Sequence, residues 1–181
     1  MALEELKAQV EQSKKPRVKA QMFDKFMADH EVTGFVKQEY DDEFRTVGYY
    51  SSVTANDQNC KVQVLMNDAI YTYIKILCGY KVVNTENEDK VLQYLNRLNN
   101  RGLAYKFVVT AEGSIELDIC LIADEMHFDP QMILVMLLQV GVPYLDDELK
   151  RLPAVVGTEL DVNEPGRREA EEGPAGTTPE N

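Results

Sequence analysis

Residues 60–78 read Cys60-Lys-Val-Gln-Val-Leu-Met-Asn-Asp-Ala-Ile-Tyr-Thr-Tyr-Ile-Lys-Ile-Leu-Cys78. Apolar and polar side chains alternate on both sides of Asn67-Asp68, which is the pattern of two β-strands joined by a turn. One face of the second strand carries Tyr71, Tyr73 and Lys75. Its other face carries aliphatic and small side chains, which are Ile70, Ile74, Ile76 and Cys78. The stretch therefore predicts an antiparallel hairpin with one buried face.

The flanking segments extend this pattern on both sides. Val47–Thr54 is rich in aromatic and β-branched residues and predicts another strand before the hairpin. Downstream, Thr85-Glu-Asn-Glu88 is a capping box that opens a helix, and Gly102 suits the end of that helix. Two more alternating segments, around Tyr105–Val109 and Ile115–Leu121, predict a second hairpin.

Helices are predicted at both ends of this strand-rich region. Leu3, Leu6 and Val10 have helical spacing, and after Pro16 a second helix runs to about His30. The last helix has Asp129 as its N-cap and Pro130 in its first turn. We expect it to stop or kink at Gly141-Val-Pro143, with Tyr144 to Leu152 adding another turn or two. The order αβββαββα predicts a two-layer α+β domain with an antiparallel sheet and helices on one face.

Composition divides the chain into three parts. Residues 1–16 form a short N-terminal helical extension, 17–152 the α+β domain, and 153–181 an acidic tail. The tail is rich in Pro, Gly, Glu and Thr, and it carries seven acidic residues against two basic ones. Because it has few apolar residues to offset its ordering entropy, we predict that it is disordered.

The charge balance excludes two classes of partner. The chain has 19 Lys and Arg against 31 Asp and Glu, for a net charge of −12. Nucleic acids and anionic membranes both require clustered basic residues, so neither is an expected partner. Cys60, Cys78 and Cys120 form no Cys-x-x-Cys pair and are expected to be small buried hydrophobes. With no signal-like or membrane-like apolar run, the sequence predicts a cytoplasmic protein.

At this level of detail the chain resembles the YbjN-like family, whose fold is like that of type III secretion chaperones. The resemblance lies mainly in Glu88-Asp-Lys-Val-Leu-Gln-Tyr-Leu-Asn-Arg-Leu-Asn99, the hairpin Ala104 to Leu121, and Phe128-Asp-Pro130. It implies a non-enzymatic bacterial protein that binds other polypeptides or acts in regulation, such as sensory transduction. Secretion chaperones of this fold are dimers that hold an extended segment of a client, so it also implies a homodimer.

The sequence offers little catalytic chemistry. It contains no nucleophile, Walker or dinucleotide-binding motif, and we predict no enzyme activity, cofactor or metal. One local cluster, Asp124-Glu-Met-His-Phe-Asp129, places His127 among three carboxylates. A solvated loop explains it, and a metal or acid–base site is the alternative. The acidic triplets at 41–43 and 146–148 are interpreted as solvated charge in the same way.

Tyrosines are the candidate binding residues. Tyr71 and Tyr73 share a strand face, and Tyr49, or alternatively Tyr50, extends that face on the neighbouring strand. If the helices cover the isoleucine face, these tyrosines lie on the open face and suit peptide recognition. The other interpretation is that they are cross-strand pairs that stabilise the sheet.

Three functions remain open on the sequence alone. The leading hypothesis is a chaperone-like or regulatory module that binds a protein or peptide client. An enzyme, or a small-molecule- or metal-binding protein, would use a cleft near His127. A purely structural homodimer would have no client.

Overall fold

The computed structural model describes residues 17–102, 104–160 and 162 of the chain. The strands, in chain order, are β1 (Val36–Glu39), β2 (Val47–Ala55), β3 (Gln58–Met66), β4 (Tyr71–Gly79), β5 (Tyr105–Val109) and β6 (Ile115–Ile122). The helical segments are α1 (Val18–Asp29), α2 (Glu88–Asn99), α3 (Gln131–Leu134), a π-helical segment (Val135–Gly141) and α4 (Val142–Val156). The predicted N-terminal extension, residues 1–16, lies outside the described residues.

The six strands form one antiparallel sheet in the order β1-β2-β3-β4-β6-β5. The predicted two-layer α+β class is confirmed. Asn56 and Asp57, both with positive φ, make the two-residue turn between β2 and β3. The structure contains one strand, β1, that the sequence did not predict. Val36–Glu39 is exposed throughout and lacks the alternation that identifies the other strands.

One face of the sheet forms the core with the helices. Its side chains are almost completely buried on the central strands, among them Val62, Val64, Ile74, Ile76, Leu117 and Ile119. Burying one such aliphatic side chain stabilises the fold by about 1.5–3 kcal/mol. The opposite face carries half-buried and exposed side chains, and we call it the open face.

A buried lysine joins α1 to the start of β4. The Lys19 ammonium group donates to the carbonyl oxygens of Ala69, at 2.5 Å, and Tyr71, at 3.1 Å. Burial lowers the pKa of Lys19, and the carboxylates of Asp68 and Glu125 partly offset this effect. These two hydrogen bonds hold the backbone at the start of β4.

We expected the C-terminal helical segment to stop or kink at Gly141-Val-Pro143; it does not stop there, but changes from π-helical to α-helical structure. The π-helical segment ends at Gly141 and leads directly into α4. Pro143 is the second residue of α4, directly after the change from π-helical to α-helical structure. A Cβ atom at Gly141 would lie 3.2 Å from Ile76 Cδ1 and 3.3 Å from Ile119 Cδ1, so glycine lets the helix pack closely on the sheet.

The folded part extends past the predicted boundary at residue 152. Helix α4 continues to Val156, whose carbonyl oxygen accepts a hydrogen bond from the Asn87 side chain. Lys90 similarly donates to the carbonyl oxygen of Ala154, and Val162 is buried. Composition alone does not predict this extension, because Pro153 lies inside the helix. The rest of the predicted tail, residues 163–181, lies outside the described residues.

Candidate protein-interaction surface

The open face carries an aromatic and aliphatic cluster that we call the tyrosine patch, formed by Leu65, Tyr71, Tyr73, Cys120 and Ile122. In the strand register, Tyr73 lies opposite Leu65 on β3 and Cys120 on β6, and Tyr71 lies opposite Ile122. Tyr71 is 42% exposed, Tyr73 39% and Ile122 69%. The predicted placement of Tyr71 and Tyr73 on one face, opposite Ile74 and Ile76, is confirmed.

The two tyrosine rings stack on each other at the centre of this patch. Their centroids are 6.2 Å apart and their planes are 27° from parallel. Partial burial raises the pKa of Tyr73, and the neighbouring Cys120 and Tyr71 act in the same direction. A pair of aligned rings offers a flat apolar surface with hydroxyl groups at its rim, which suits contact with another polypeptide.

Tyr49 does not belong to this surface, contrary to the prediction. It lies opposite Val64 in the register, on the helix-covered face, and is 0% exposed. Its hydroxyl group is 2.7 Å from Asp24 Oδ1 and 3.0 Å from the carbonyl oxygen of Ala20, both on α1. Burial is the main cause of its raised pKa. Tyr50, the alternative, is on the open face, where its hydroxyl group bonds that of Tyr40.

A charged cluster adjoins the tyrosine patch on the same face. The Lys75 ammonium group is 2.9 Å from Asp118 Oδ2, directly across the strands, and 2.9 Å from Glu116 Oε2. Burial lowers the pKa of Lys75, but the hydrogen bonds to both carboxylates outweigh it and the pKa is raised. Burial raises the pKa of Asp118, which Lys75 only partly offsets. Two carboxylates around one lysine leave one net negative charge here.

Acidic loops border the patch at one end of the sheet. Because the strands are antiparallel, the loops β1–β2, β3–β4 and β6–α3 all lie at the end where β4 begins. They contribute exposed carboxylates from residues 41–43 and from Asp68, Asp124 and Glu125. Exposed apolar side chains, Ile70 and Met126, lie among them. This end therefore combines negative charge with apolar contact area.

His127 belongs to one of these loops and forms a local contact. Its Nδ1 atom is 2.6 Å from Asp124 Oδ1, which also accepts hydrogen bonds from the backbone N–H groups of Met126 and His127. The His127 side chain is the first cause of the lowered Asp124 pKa. No group of three or more His, Cys, Asp or Glu residues in residues 17–102, 104–160 and 162 could hold a metal ion. The nearby cavity that Glu125 lines has a volume of about 10 Å³, room for one water molecule.

The three cysteines differ in burial. Cys60 and Cys78 are completely buried, as predicted, and burial raises the pKa of Cys60 to about 11. Cys120 is only half-buried, because it lies on the open face opposite Tyr73. The reactivity of its thiol should therefore change when a partner covers the tyrosine patch.

Sequence patterns did not reveal a second apolar surface, a groove of about 290 Å³ between α1 and the C-terminal helical segment. It is lined mainly by Phe26, Val32, Leu134, Val135 and Leu138, with His30 at its side. The His30 ring packs against Phe26, with centroids 4.3 Å apart. The helical periodicity of both segments could have indicated two facing apolar stripes, but not the gap between them.

The chain matches no family model, and no curated protein matches it. Within the part of the chain that the structure describes, none of the helices has the length and apolar character that crossing a membrane would require.

Proposed function

We propose that the protein is a non-enzymatic, cytoplasmic protein-binding module, chaperone-like or regulatory, that holds a polypeptide partner on the open face of its sheet. The observation that carries the proposal is the tyrosine patch, in which stacked Tyr71 and Tyr73 remain exposed beside Leu65 and Ile122. Exposed aromatic and aliphatic side chains that lie together typically mark an interaction site.

The charges around the patch favour a basic partner segment with apolar side chains. The described residues include 22 acidic and 14 basic side chains, and the acidic loops border the patch. Complementary potentials raise the rate of encounter and suppress wrong partners. The apolar side chains of such a segment would pack on the tyrosines while its Lys or Arg residues face the acidic loops.

The resemblance to the YbjN-like family supports the same proposal. Proteins with the related secretion-chaperone fold hold extended client segments and form dimers. We extend the proposal to a homodimer for this chain. The competing interpretation of Tyr71 and Tyr73, a cross-strand pair that only stabilises the sheet, makes a different prediction for the following experiment.

The test is binding of labelled synthetic peptides of about ten residues, long enough when extended to reach from the tyrosine patch to the acidic loops. One set alternates Leu or Val with Lys or Arg, and the matched set replaces each basic residue with Glu. Fluorescence anisotropy with the full chain should show the basic peptides binding at least about tenfold more tightly than the acidic ones. The variant Tyr71→Ser/Tyr73→Ser should lose at least about tenfold in affinity, because aromatic anchors dominate such contacts.

The matched control is Val108→Ser, an exposed position on β5 on the same open face. It should bind the basic peptides as the wild type does. Equal affinity of the wild type and the double tyrosine variant would reject the patch as the binding site. A free energy of unfolding that falls by several kcal/mol in that variant would assign the tyrosines to sheet stability instead.

A further inference from the structure

The two edge strands of the sheet, β5 and β1, differ in whether their outward backbone groups have hydrogen-bond partners. At the β5 edge, the Asn99 side chain reaches from the end of α2 to the backbone of Phe107. Its Oδ1 atom accepts from the Phe107 N–H group at 2.7 Å, and its Nδ2 atom donates to the Phe107 carbonyl oxygen at 2.9 Å. Both outward groups at the middle of β5 are therefore satisfied, and this edge is closed to another strand.

At the other edge, β1 presents unused backbone groups. The Tyr40 N–H group, one residue past β1, points toward β2 and donates to the Thr46 carbonyl oxygen, as in the hydrogen-bonded pairs of an antiparallel ladder. Since such pairs alternate along antiparallel strands, Gln38 also points toward β2, and the N–H and C=O groups of Lys37 and Glu39 point outward. No hydrogen bond between described residues occupies these four groups.

The sequence of β1 is complementary to itself in the antiparallel direction. If two copies of β1 pair around a twofold axis at Gln38, Lys37 of each copy lies opposite Glu39 of the other. In that register all four outward backbone groups of each copy are paired, giving four hydrogen bonds. Both cross-strand side-chain pairs are of opposite charge, which stabilises antiparallel pairing.

We propose that β1 is the dimer edge of this protein, where a second copy of the chain adds its own β1 and joins the two sheets into one. This inference specifies the homodimer of the proposed function and does not depend on the tyrosine patch. Val36, 70% exposed at the end of β1, is an apolar side chain that the second copy would cover. Arg17 already pairs with Glu39, and Lys37 Nζ is 2.8 Å from Asp24 Oδ2. Charges of both signs therefore line the proposed interface between the two copies.

A charge swap in the full chain tests the register. Lys37→Glu places glutamates opposite each other in a homodimer, and Glu39→Lys places lysines opposite each other. Each single variant should dimerise at least about tenfold more weakly than the wild type, measured as mass in a concentration series around the 20.6 kDa of one chain. An equal mixture of the two variants should form heterodimers, because every facing pair is then of opposite charge. The double variant Lys37→Glu/Glu39→Lys should also dimerise again, although it carries the same changes next to Asp24 and Arg17.

A cross-link tests the position of the axis. Two Gln38 residues would form a non-hydrogen-bonded pair with Cα atoms about 4.5 Å apart, within disulfide range. In a Cys120→Ser background, Gln38→Cys should give a covalent dimer under mild oxidation. Val108→Cys, an exposed residue on the closed β5 edge, is the matched control and should stay monomeric.

The proposal is overturned if the wild type remains monomeric at every concentration, if the single charge variants dimerise as well as the wild type, or if Val108→Cys cross-links as fast as Gln38→Cys. The monomeric charge variants should still bind the basic peptides. Loss of dimerisation and loss of peptide binding are therefore separate results.

Discussion

Tyr73 and Ile74 are neighbours on β4, yet they point to opposite faces of the same sheet. Ile74 is 0% exposed and packs under the helices, whereas Tyr73 is 39% exposed and stacks on Tyr71. The helix-covered face is filled with aliphatic side chains, because its volume must be packed without voids. The open face mixes tyrosines, carboxylates and lysines, among them Lys61 and Lys75. The difference teaches that burial determines the residues on one face, while the residues on the other are free to serve contact with a partner.

The largest effect is expected for Ile74→Ala. Removing this side chain leaves a cavity between β4 and the helices, and we expect the free energy of unfolding to fall by about 2–5 kcal/mol. Urea unfolding followed by circular dichroism measures it. A loss below about 1 kcal/mol would mean that this face is not the packed one.

Tyr49→Phe should have an intermediate effect on the same face. It removes the hydroxyl group that bonds Asp24 and Ala20 on α1, and we expect a loss of about 1–3 kcal/mol. The wild type should also lose stability as the pH rises above 10, because the raised folded-state pKa of Tyr49 makes the unfolded chain release its proton first. Urea unfolding between pH 8 and 11 should show a shallower decline for Tyr49→Phe. Parallel curves for both proteins would contradict the buried position of this hydroxyl group.

The smallest effect on stability is expected for Tyr73→Ala, one residue away from Ile74. It removes a partly exposed ring and the stacking with Tyr71, so the free energy of unfolding should change by less than about 1 kcal/mol. Thermal unfolding beside Ile74→Ala gives a direct comparison of the two faces. A loss as large as that of Ile74→Ala would make Tyr73 a structural residue.

The sequence predicted those parts of the fold in which side-chain alternation is strong. The run Cys60–Met66 alternates apolar and polar residues as far as Val64, and its buried face is as predicted. β1 could not be predicted, because an exposed edge strand needs no apolar face. Gly141-Val-Pro143 suggested a helix stop because both residue types usually end helices, but packing against Ile76 and Ile119 favours continuation.

The misplacement of Tyr49 has a specific cause. The segment Gly48-Tyr-Tyr-Ser-Ser52 has no alternation, so composition does not show which tyrosine faces the core. The two-residue turn Asn56-Asp57 sets the register of β2 and β3. It pairs Ala55 with Gln58 and thus aligns Tyr49 with the buried Val64. Counting back from the turn would have selected Tyr50 for the open face. No pattern in the sequence indicates the contact of Asn99 with Phe107, which depends on how α2 packs beside β5.

Alkylation of Cys120 tests the central claim, that a polypeptide partner occupies the open face, most directly. Cys60 and Cys78 are buried and Cys120 is half-buried opposite Tyr73, so the fast-reacting thiol reports on the tyrosine patch. We expect the basic apolar peptides to slow its reaction with iodoacetamide in proportion to the fraction bound, and to lose this protection in Tyr71→Ser/Tyr73→Ser. Peptide binding that leaves the alkylation rate of Cys120 unchanged would contradict the account.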